Sequence, residues 1–389
     1  MFRNKISNEE LKKVAKNFFR ADNIIEFREI TSGFVNMTYE VVFPKCHYVL
    51  QQINTNAFHS PFSVMNNIDL VSDYLMRKCL YEGKSVDDSC VRFVKTIYGQ
   101  SLAIVDGTYW RCMEYLDDSI TYMKVDDPKV FEEMGKAVGD FHFLMYGFQT
   151  RLLDDTIPHF HDTPLRFKNF IKIVNENKKT ERYKETKEDI EFFMKRSDQY
   201  DYLTIALENN KIGWRTCHND TKTSNILINQ DTKEFMCLID LDTVMKGAIA
   251  YDYGDALRQG ASTSAEDEPD LSKVSIDRAL VESFTKGFLY SLRPRDGKSY
   301  ISENELKSLY YGYLLMTLEV GIRFLGDYID GDKYFRIDKN RPKQNLDRAR
   351  VQIKLVKYIE KYREDFYIIL NKVLQEIEGF EPFEDDALK

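Results

Sequence analysis

His218-Asn219-Asp220-Thr221-Lys222-Thr223-Ser224-Asn225 is the stretch that decides how this sequence is interpreted, and Asp240 follows 15 residues after Asn225. Phosphoryl transfer requires an acceptor hydroxyl held in line with the γ-phosphate and cations on the phosphate oxygens. Asp220 can accept or orient the hydroxyl proton, while Asn225 and Asp240 offer the hard oxygen ligands that Mg²⁺ prefers. Lys222 is positioned to offset charge that develops on the transferred phosphate. The order and spacing of these residues predict a phosphotransferase.

Apolar runs on both sides of Asn225 and Asp240 strengthen this prediction. Ile226-Leu227-Ile228 and the segment from Phe235 to Ile239 are expected to form a buried hairpin that fixes the distance between the two polar residues. Rigid strand ends are suitable supports for catalytic side chains. The alternative is a polar turn with chance carboxylates beside two core strands, which leaves the combined spacing unexplained.

The rest of the chain predicts an α+β, two-lobed, protein-kinase-like fold. Ser7 and Glu10 form a capping-box pattern at the first helix, and strands are expected from there to Tyr115. From Pro128 onward the apolar periodicity is mainly helical, ending in one long charged helix from about Lys343 to Glu378. We therefore expect a nucleotide-binding lobe over residues 1–115, a connection over 116–121, and a catalytic and acceptor-binding lobe over 122–389.

Composition excludes several other classes of function. The 389 residues carry a net charge of -8, which argues against a nucleic-acid partner. The sequence contains no apolar run of about 20 residues that could cross a bilayer, and no secretory signal is expected at its start. Six cysteines without metal-ligand spacing are typical of thiols in a reducing cytoplasm. We expect a cytoplasmic enzyme whose partner is a small molecule.

The sequence resembles the aminoglycoside phosphotransferase and choline kinase superfamily, and within it the N-acetylhexosamine 1-kinases. The blocks that carry the resemblance are CHNDTKTSNILI, CLIDLDTVMKGAIAYDYGDALR, VLQQINTNAF, GFQTRLLDDTIPHFHDTPLRF and RFLGDYIDGDKYF. They lie between about residues 48 and 336 and so cover most of the chain. The resemblance implies a kinase-like fold and transfer of the ATP γ-phosphate to the anomeric hydroxyl of GlcNAc or GalNAc.

The same resemblance assigns roles to the central motif. Asp220 is expected to be the catalytic base, with Asn225 and Asp240 as Mg²⁺ ligands. Asp242 is either a further metal ligand or a carboxylate that caps the following turn. His218 and Asp252 are expected to support the catalytic loop rather than to contact substrate.

The phosphate-binding side departs from protein kinases in two ways. The turn that holds Gly33 and Asn36, followed by Thr38, contains a single glycine instead of a GxGxxG motif. The third strand has Gln51 and Gln52 where a phosphate-pairing lysine is expected. Glutamine donates hydrogen bonds but carries no charge. Either another cation holds the α- and β-phosphates, or their binding depends more on Mg²⁺.

The segment after the last strand of the first lobe is the expected interlobe hinge. Backbone groups of Glu114, Tyr115 and Leu116 are positioned to contact the adenine edge of ATP. The same residues are also compatible with an ordinary edge of a strand.

The acceptor side is expected to use Asp220, Arg323 and Tyr334 for polar contacts, with Tyr328 and Phe335 as apolar surface. A helix-end pairing of Arg323 with Asp327 is the alternative for that arginine.

One further motif, and the function as a whole, have alternative interpretations. His159, His161 and Asp162 resemble a metal cluster, but their neighbours favour a loop beside the substrate. A kinase for another acceptor (an aminoglycoside, a choline-like alcohol or a different sugar) is the alternative enzyme. A weakly catalytic ATP-binding regulator and a helical scaffold are alternatives of other classes.

Overall fold

The computed structural model describes residues 6–20, 23–31, 35–86 and 90–383. Its N-terminal part is an antiparallel sheet in the order β1-β2-β3-β6-β4, with β5 paired to β6. The strands are β1 (Glu26–Ile30), β2 (Met37–Val42), β3 (His47–Gln52), β4 (Phe93–Val94), β5 (Ala103–Val105) and β6 (Thr108–Glu114). The predicted turn residue Gly33 lies outside the described residues.

The two faces of this sheet have different roles because side chains alternate along each strand. Tyr39, Leu50 and Cys112 lie side by side across β2, β3 and β6 and belong to the core of the sheet. Helix α1 (Asn8–Ala15) covers that core with Leu11 and Val14 and begins with the predicted capping box. The opposite face is therefore left to face the rest of the chain.

Helix α2 (Pro61–Tyr81) links the sheet to the remainder of the molecule. Ser60 caps it and Pro61 begins it, as the sequence predicts. Inside the helix, the amide of Asn67 donates to the backbone oxygens of Asp154 and Val244 at 2.8 and 2.9 Å. The segment that follows Asp240 is thereby fixed to α2.

Two small sheets lie between the N-terminal sheet and the helices. Strand β7 (Ser119–Ile120) pairs with β9 (Ile226–Asn229), which pairs with β10 (Phe235–Leu238), so the predicted hairpin is present. Strands β8 (Arg215–Cys217) and β11 (Met245–Gly247) pair with each other. The predicted lobe boundaries stay a prediction, since β7 lies inside the expected connection and pairs with the larger region.

The C-terminal region is helical around one buried central helix, α10. Its helices are α3 (Pro128–Leu144), α4 (Thr163–Glu176), α5 (Glu181–Glu185), α6 (Lys187–Met194), α7 (Tyr202–Glu208), α8 (Ile249–Gly260), α9 (Arg278–Ser291), α10 (Glu303–Ile329), α11 (Gln344–Lys361) and α12 (Arg363–Glu376). Helix α10 packs on α4, α8 and α11, while α3 packs on α9. None of the described helices is long and apolar enough to cross a membrane.

Helices α8 and α10 approach so closely that only glycine fits at their crossing. A Cβ built on Gly254 would lie 2.2 Å from the backbone oxygen of Gly312, and one on Gly312 would lie 2.0 Å from the oxygen of Ala250. Real atoms do not approach to such distances. The two glycines therefore fix the position of α8, which carries Asp252.

The prediction of one long C-terminal helix is wrong, because the chain turns at Tyr362 between α11 and α12. Helix α11 packs on α10 and α6, whereas α12 packs mainly on α9. One straight helix could not bury its apolar residues against both surfaces. The α+β fold class, with a strand-rich N-terminal sheet and a helical C-terminal region, is confirmed.

Candidate active site

The loop that follows β8 is held by Asp252 on α8. The backbone N–H groups of His218 and Asn219 donate to the two oxygens of Asp252 at 2.8 and 2.7 Å. Asn219 adopts a left-handed backbone conformation with φ 64°, which is uncommon for a residue other than glycine. His142 Nε2 lies 3.0 Å from the same carboxylate. Burial would raise the pKa of Asp252, but the His142 ring and these hydrogen bonds outweigh it and lower the pKa.

His142, Cys217 and Asp252 bring ligand-type atoms within 4.8 Å of one another, which resembles a metal site. The carboxylate is already used by the loop amides. Burial raises the pKa of the Cys217 thiol well above its usual value, so the thiolate that a metal requires is disfavoured. These residues are better explained as a support for the loop.

His218 uses both ring nitrogens within the protein. Its Nε2 is 2.8 Å from the carbonyl oxygen of Ile239, to which it donates, and its Nδ1 accepts the N–H of Asp220 at 3.3 Å. The ring is completely buried. His218 therefore joins the loop to the residue before Asp240 and has no nitrogen left for an acceptor. Its supporting role remains a prediction that fits this geometry.

Asp220 and Lys222 form the charged centre of the loop. Lys222 Nζ lies 2.6 Å from Asp220 Oδ2, and the Asn225 amide donates to the same oxygen at 3.1 Å. Burial would raise the pKa of Asp220, but Lys222 outweighs it, so the pKa is lowered and the carboxylate is ionised at neutral pH. Burial opposes the charge of Lys222, and the nearby carboxylates reverse that effect and raise its pKa. An ionised carboxylate can orient an acceptor hydroxyl.

Asp240 and Asn225 meet at the base of the β9–β10 hairpin. The Ile239 N–H donates to the backbone oxygen of Asn225 at 2.9 Å, which brings the two residues together. Among the described residues, no hydrogen bond or ion pair is made by the Asp240 carboxylate or by Asn225 Oδ1. Burial and the neighbouring Asp242 raise the pKa of Asp240 to about 6. A half-buried carboxylate that lacks a partner fits a cation site.

Asp240 itself has left-handed backbone angles, φ 62° and ψ 54°. Such a conformation is uncommon for a residue other than glycine and is concentrated at functional sites. The turn that follows, Leu241–Thr243, starts from this bend. The bend therefore determines where the side chains of Asp240 and Asp242 lie.

Asp242 is already engaged within the protein. Its Oδ2 accepts the amide of Asn36 at 2.7 Å, and its Oδ1 forms an ion pair with Arg111 Nη1. Its backbone oxygen accepts the hydroxyl of Thr156 at 2.9 Å. Asp242 thus connects the N-terminal sheet to the segment after β10. Its role as a metal ligand stays a prediction, and the ion would have to share the carboxylate with these partners.

The predicted phosphate-binding side chains form a row across three strands. Thr38, Gln51 and Arg111 are neighbours in the register of β2, β3 and β6, on the face away from the sheet core. Gln51 Nε2 donates to Thr38 Oγ1 at 3.0 Å, and Gln51 Oε1 accepts Arg111 Nε at 2.8 Å. Gln52 alternates to the other face of β3. The structure thus brings Asn36, Thr38 and Gln51 together but separates Gln52 from them.

The predicted hinge lies beside an apolar cluster formed by both parts of the molecule. Met113 and Leu116 from the hinge side pack with Leu227 and Ile239 from the β9–β10 hairpin. The N–H groups of Glu114 and Tyr115 donate to Arg92 and His47, whereas that of Leu116 makes no hydrogen bond within the described part of the chain. Apolar side chains beside an unbonded backbone N–H are suited to contact a flat heteroaromatic ring.

A second cluster, which we call the arginine–aromatic cluster, lies beside the catalytic loop. His161 Nε2 lies 3.2 Å from the backbone oxygen of Asn219, and Nδ1 lies 3.2 Å from Glu319. Arg323 Nη1 lies 3.8 Å from Glu319. Its guanidinium is 5.4 to 5.9 Å from the centres of three rings, and Arg166 is 6.0 Å from one of these rings. The rings belong to Phe160, Tyr334 and Phe335.

Several expectations for this region are resolved by the contacts. Arg323 pairs with Glu319 and not with Asp327, whose carboxylate accepts the N–H groups of Tyr334 and Phe335 at 2.8 and 2.9 Å. Tyr328 is buried in the core and donates to Glu185, so it offers no open surface. Tyr334 is 72% exposed and its ring is accessible.

The histidine-rich loop does not assemble a metal site among the described residues. His159 is exposed and lies 2.9 Å from Asp162, and Asp162 also caps α4 by accepting the Leu165 N–H at 3.0 Å. His161 points the other way, toward Glu319. That this loop lies beside the substrate stays a prediction, and His161 is the residue of the three that approaches the Asn219 backbone.

Arg111, Arg166 and Glu319 were not identified from the sequence. Arg111 lies between Trp110 and Cys112 in a strand whose other central residues are apolar. A charged residue in such a strand could have indicated a functional role. Glu319 and Arg166 lie on α10 and α4, far apart in sequence. Only the packing of α4 on α10 brings these two residues together.

The comparisons with known proteins agree with this geometry. A family model described as the phosphotransferase enzyme family matches residues 26–278, which is more than half of the chain. An aminoglycoside phosphotransferase from Alicyclobacillus acidocaldarius is similar in structure, with a TM-score of 0.62 at 13% identity, covering 94% of this chain and 97% of its own. An ethanolamine kinase from Plasmodium vivax gives a TM-score of 0.56 at 14% identity, with coverages of 90% and 92%.

The aminoglycoside 2′-phosphotransferase-IIIa, in its GDP complex, gives a TM-score of 0.53 at 12% identity and covers 89% of this chain and 99% of its own. At such identities the structural similarity establishes the kinase-like fold, and the family match establishes the reaction class. The chain belongs to the phosphotransferase enzyme family and transfers phosphoryl groups to a hydroxyl acceptor.

Proposed function

We propose that this protein transfers the γ-phosphate of ATP to the anomeric hydroxyl of an N-acetylhexosamine, GlcNAc or GalNAc, and releases the sugar 1-phosphate. The sugar part of the proposal comes from the sequence blocks shared with N-acetylhexosamine 1-kinases. The observation that supports it in the structure is the arginine–aromatic cluster beside the catalytic loop. A cytoplasmic location, where ATP is available, is part of the proposal.

The charge of the cluster disfavours a cationic acceptor. Burial and the charge of the nearby Arg323 lower the pKa of Arg166. Glu319 is the carboxylate between them. Burial would raise its pKa, but His161 outweighs that effect, so Glu319 stays ionised and paired. Two guanidinium groups and a histidine lie around Glu319, and the further carboxylate near Arg166, Asp162, is paired with His159, so in the part of the chain that the structure describes the cluster offers an ammonium group no unpaired carboxylate.

The rings of the cluster suit a sugar. Tyr334 is exposed, and Phe160 and Phe335 lie around the Arg323 guanidinium. Ring faces pack against the C–H surface of a sugar, while guanidinium groups donate to its hydroxyl and acetamido oxygens. A neutral acceptor with several oxygens matches both features.

Asp220 and Lys222 carry the chemistry in this proposal. Asp220 holds the acceptor hydroxyl and takes its proton as the oxygen attacks the γ-phosphorus, while the bond from that phosphorus to the β,γ-bridging oxygen breaks and ADP leaves. Lys222, now hydrogen-bonded to Asp220 at 2.6 Å, offsets charge on the transferred group. Asn225 Oδ1 and the Asp240 carboxylate would hold Mg²⁺, with Asp242 as a further candidate. When bound, the ion offsets the negative charge on the phosphate oxygens.

The nucleotide is proposed to enter between the hinge and the β9–β10 hairpin. Leu116, with an N–H available, and the apolar Met113, Leu227 and Ile239 would take the base. The backbone of the hinge, from Glu114 to Leu116, would read its edge. Asn36, Thr38 and Gln51 would lie beside the phosphates. One structural neighbour is described in complex with GDP. The preference of this protein for ATP or GTP is therefore to be measured.

The proposal is tested by acceptor-dependent ADP release, measured with GlcNAc, GalNAc, other sugars, an aminoglycoside, ethanolamine and choline. We expect turnover with N-acetylhexosamines and none with the cationic acceptors. Arg323→Met should raise the sugar KM about tenfold or more, with the ATP KM unchanged. Arg196→Met, which removes an arginine paired with Glu360 away from the loop, serves as control. Turnover on a cationic acceptor alone would refute the sugar assignment.

A further inference from the structure

We propose that Arg111 on β6 supplies the phosphate-binding cation that β3 lacks, and that Gln51 on β3 positions it. This inference rests on the proposed use of a nucleoside triphosphate. It assigns a residue for the α- and β-phosphates where the sequence offers only glutamine.

The register of the sheet gives Arg111 the required place. Gln51 and Arg111 are directly opposite each other on β3 and β6. A side chain on β6 at this position leaves the sheet on the same face as the one on Gln51. Arg111 therefore reaches the space that a lysine at position 51 would reach.

The guanidinium is buried and is held between an uncharged partner and a carboxylate. Its exposed fraction is 1%, and Nε and Nη2 donate to Gln51 Oε1. Nη1 forms an ion pair with Asp242 Oδ1. A guanidinium binds phosphate oxygens through strong charge-assisted hydrogen bonds, so a phosphate that enters beside Asp242 would share or replace this partner.

The partners of Arg111 place it beside the reacting groups. Asp242, the ion-pair partner of Arg111, lies two residues after Asp240, the candidate cation ligand. Asn36, from the turn that precedes β2, holds the other oxygen of Asp242. The phosphates of a nucleotide that lies between that turn and Asp240 would pass Arg111.

Gln51 has a defined task in this arrangement. It accepts two donors from Arg111 and donates to Thr38, so its amide is fixed at both ends. A lysine at position 51 would compete with the arginine for Asp242. Glutamine is neutral and accepts hydrogen bonds, so it orients Arg111 and leaves the charge to it.

The test compares nucleotide binding by calorimetry, using ADP and adenosine in EDTA so that no metal contributes. Arg111→Met should lower ADP affinity about 10- to 100-fold and change adenosine affinity less than about twofold, because only ADP carries phosphates. Gln51→Lys combined with Arg111→Met should recover most of the ADP affinity. Arg28→Met, at an exposed arginine of the same sheet, is the matched control.

Loss of Arg111 leaves Asp242 buried without its cation, which can unfold the protein. If Arg111→Met does not fold, Arg111→Met with Asp242→Asn is compared with Asp242→Asn alone, so that no uncompensated charge remains. A purely structural role for the pair predicts a lower Tm with an unchanged ratio of ADP to adenosine affinity, and that result overturns the proposal.

The controls also separate this inference from the proposed function. Wild-type protein that binds ADP, together with an Arg111 variant that binds it equally well, rejects only the role of Arg111. Wild-type protein that binds neither ADP nor ATP rejects both the role of Arg111 and the nucleotide-dependent reaction.

Discussion

Replacing Asp252 by asparagine changes a single oxygen at the point where α8 holds the catalytic loop. In the wild type, one oxygen accepts the Asn219 N–H at 2.7 Å and the other accepts the His218 N–H at 2.8 Å. The side chain is completely buried. An asparagine has one oxygen and one NH₂ group, so one of the two N–H groups must face another donor whichever way the amide is turned.

The expected cost follows from these contacts. A hydrogen bond to a buried charged group contributes about 1.5 to 3 kcal/mol, and the buried N–H that is left unsatisfied costs about 1 to 3 kcal/mol more. We expect Asp252→Asn to lower the free energy of unfolding by about 3 to 5 kcal/mol. Because the displaced loop carries Asp220, turnover should fall together with stability.

Urea denaturation and turnover, measured on the same preparations, check this prediction. Asp127→Asn is the matched control, because that exposed N-cap accepts a single backbone N–H at 2.9 Å and an asparagine oxygen can replace it. The pKa of Asp252 is lowered in the folded state, so its contribution is full above the ordinary aspartate pKa of about 4 and declines below it. An Asp252→Asn variant as stable and active as the control would show that the Asp252 carboxylate does not hold the loop.

Three further predictions concern other parts of the structure. Asp220→Ala should abolish measurable turnover while ADP affinity stays within about twofold, and retained turnover would reject Asp220 as the base. Burial lowers the pKa of His161, but Glu319 more than offsets this effect, so the pKa is raised. The replacement His161→Gln should therefore lower Tm most below pH 6.5, and less as pH rises through the raised pKa. A Tm difference that does not depend on pH would contradict this. Gly254→Ala should destabilise the protein by at least about 1 to 3 kcal/mol, because the new Cβ would collide with the backbone of α10. Gly326→Ala is the control and should not destabilise it, since a Cβ there meets only atoms at 3.5 Å or more. Equal urea midpoints for the two variants would contradict this prediction.

The sequence was sufficient for the parts of the site that are close together in the chain. The spacing of Asp220, Asn225 and Asp240 predicted the loop and hairpin, because a short hairpin brings the residues at its base together wherever it lies in a fold. The start of α2 was equally local, since Ser60 and Pro61 define a cap by themselves.

Contacts between distant segments could not be obtained in this way. The pairing of Arg111 with Asp242 joins residues 131 positions apart, and it depends on how the sheet packs against the hairpin. The position of the turn at Tyr362 depends likewise on the surfaces that α11 and α12 cover. The sequence shows that β3 lacks the expected lysine and that β6 contains Arg111. It does not show that Arg111 lies beside Gln51 and Asp242, so the proposed replacement for the lysine could not be identified from it.

Phosphorus NMR of the reaction mixture shows directly which hydroxyl receives the phosphoryl group. The protein would be incubated with ATP, Mg²⁺ and equal amounts of GlcNAc, GalNAc, choline and an aminoglycoside, with Asp220→Ala as the blank. We expect a new phosphate resonance coupled to the anomeric proton of an N-acetylhexosamine, formed together with ADP. A phosphate ester on choline or on the aminoglycoside, with no anomeric phosphate, would contradict it.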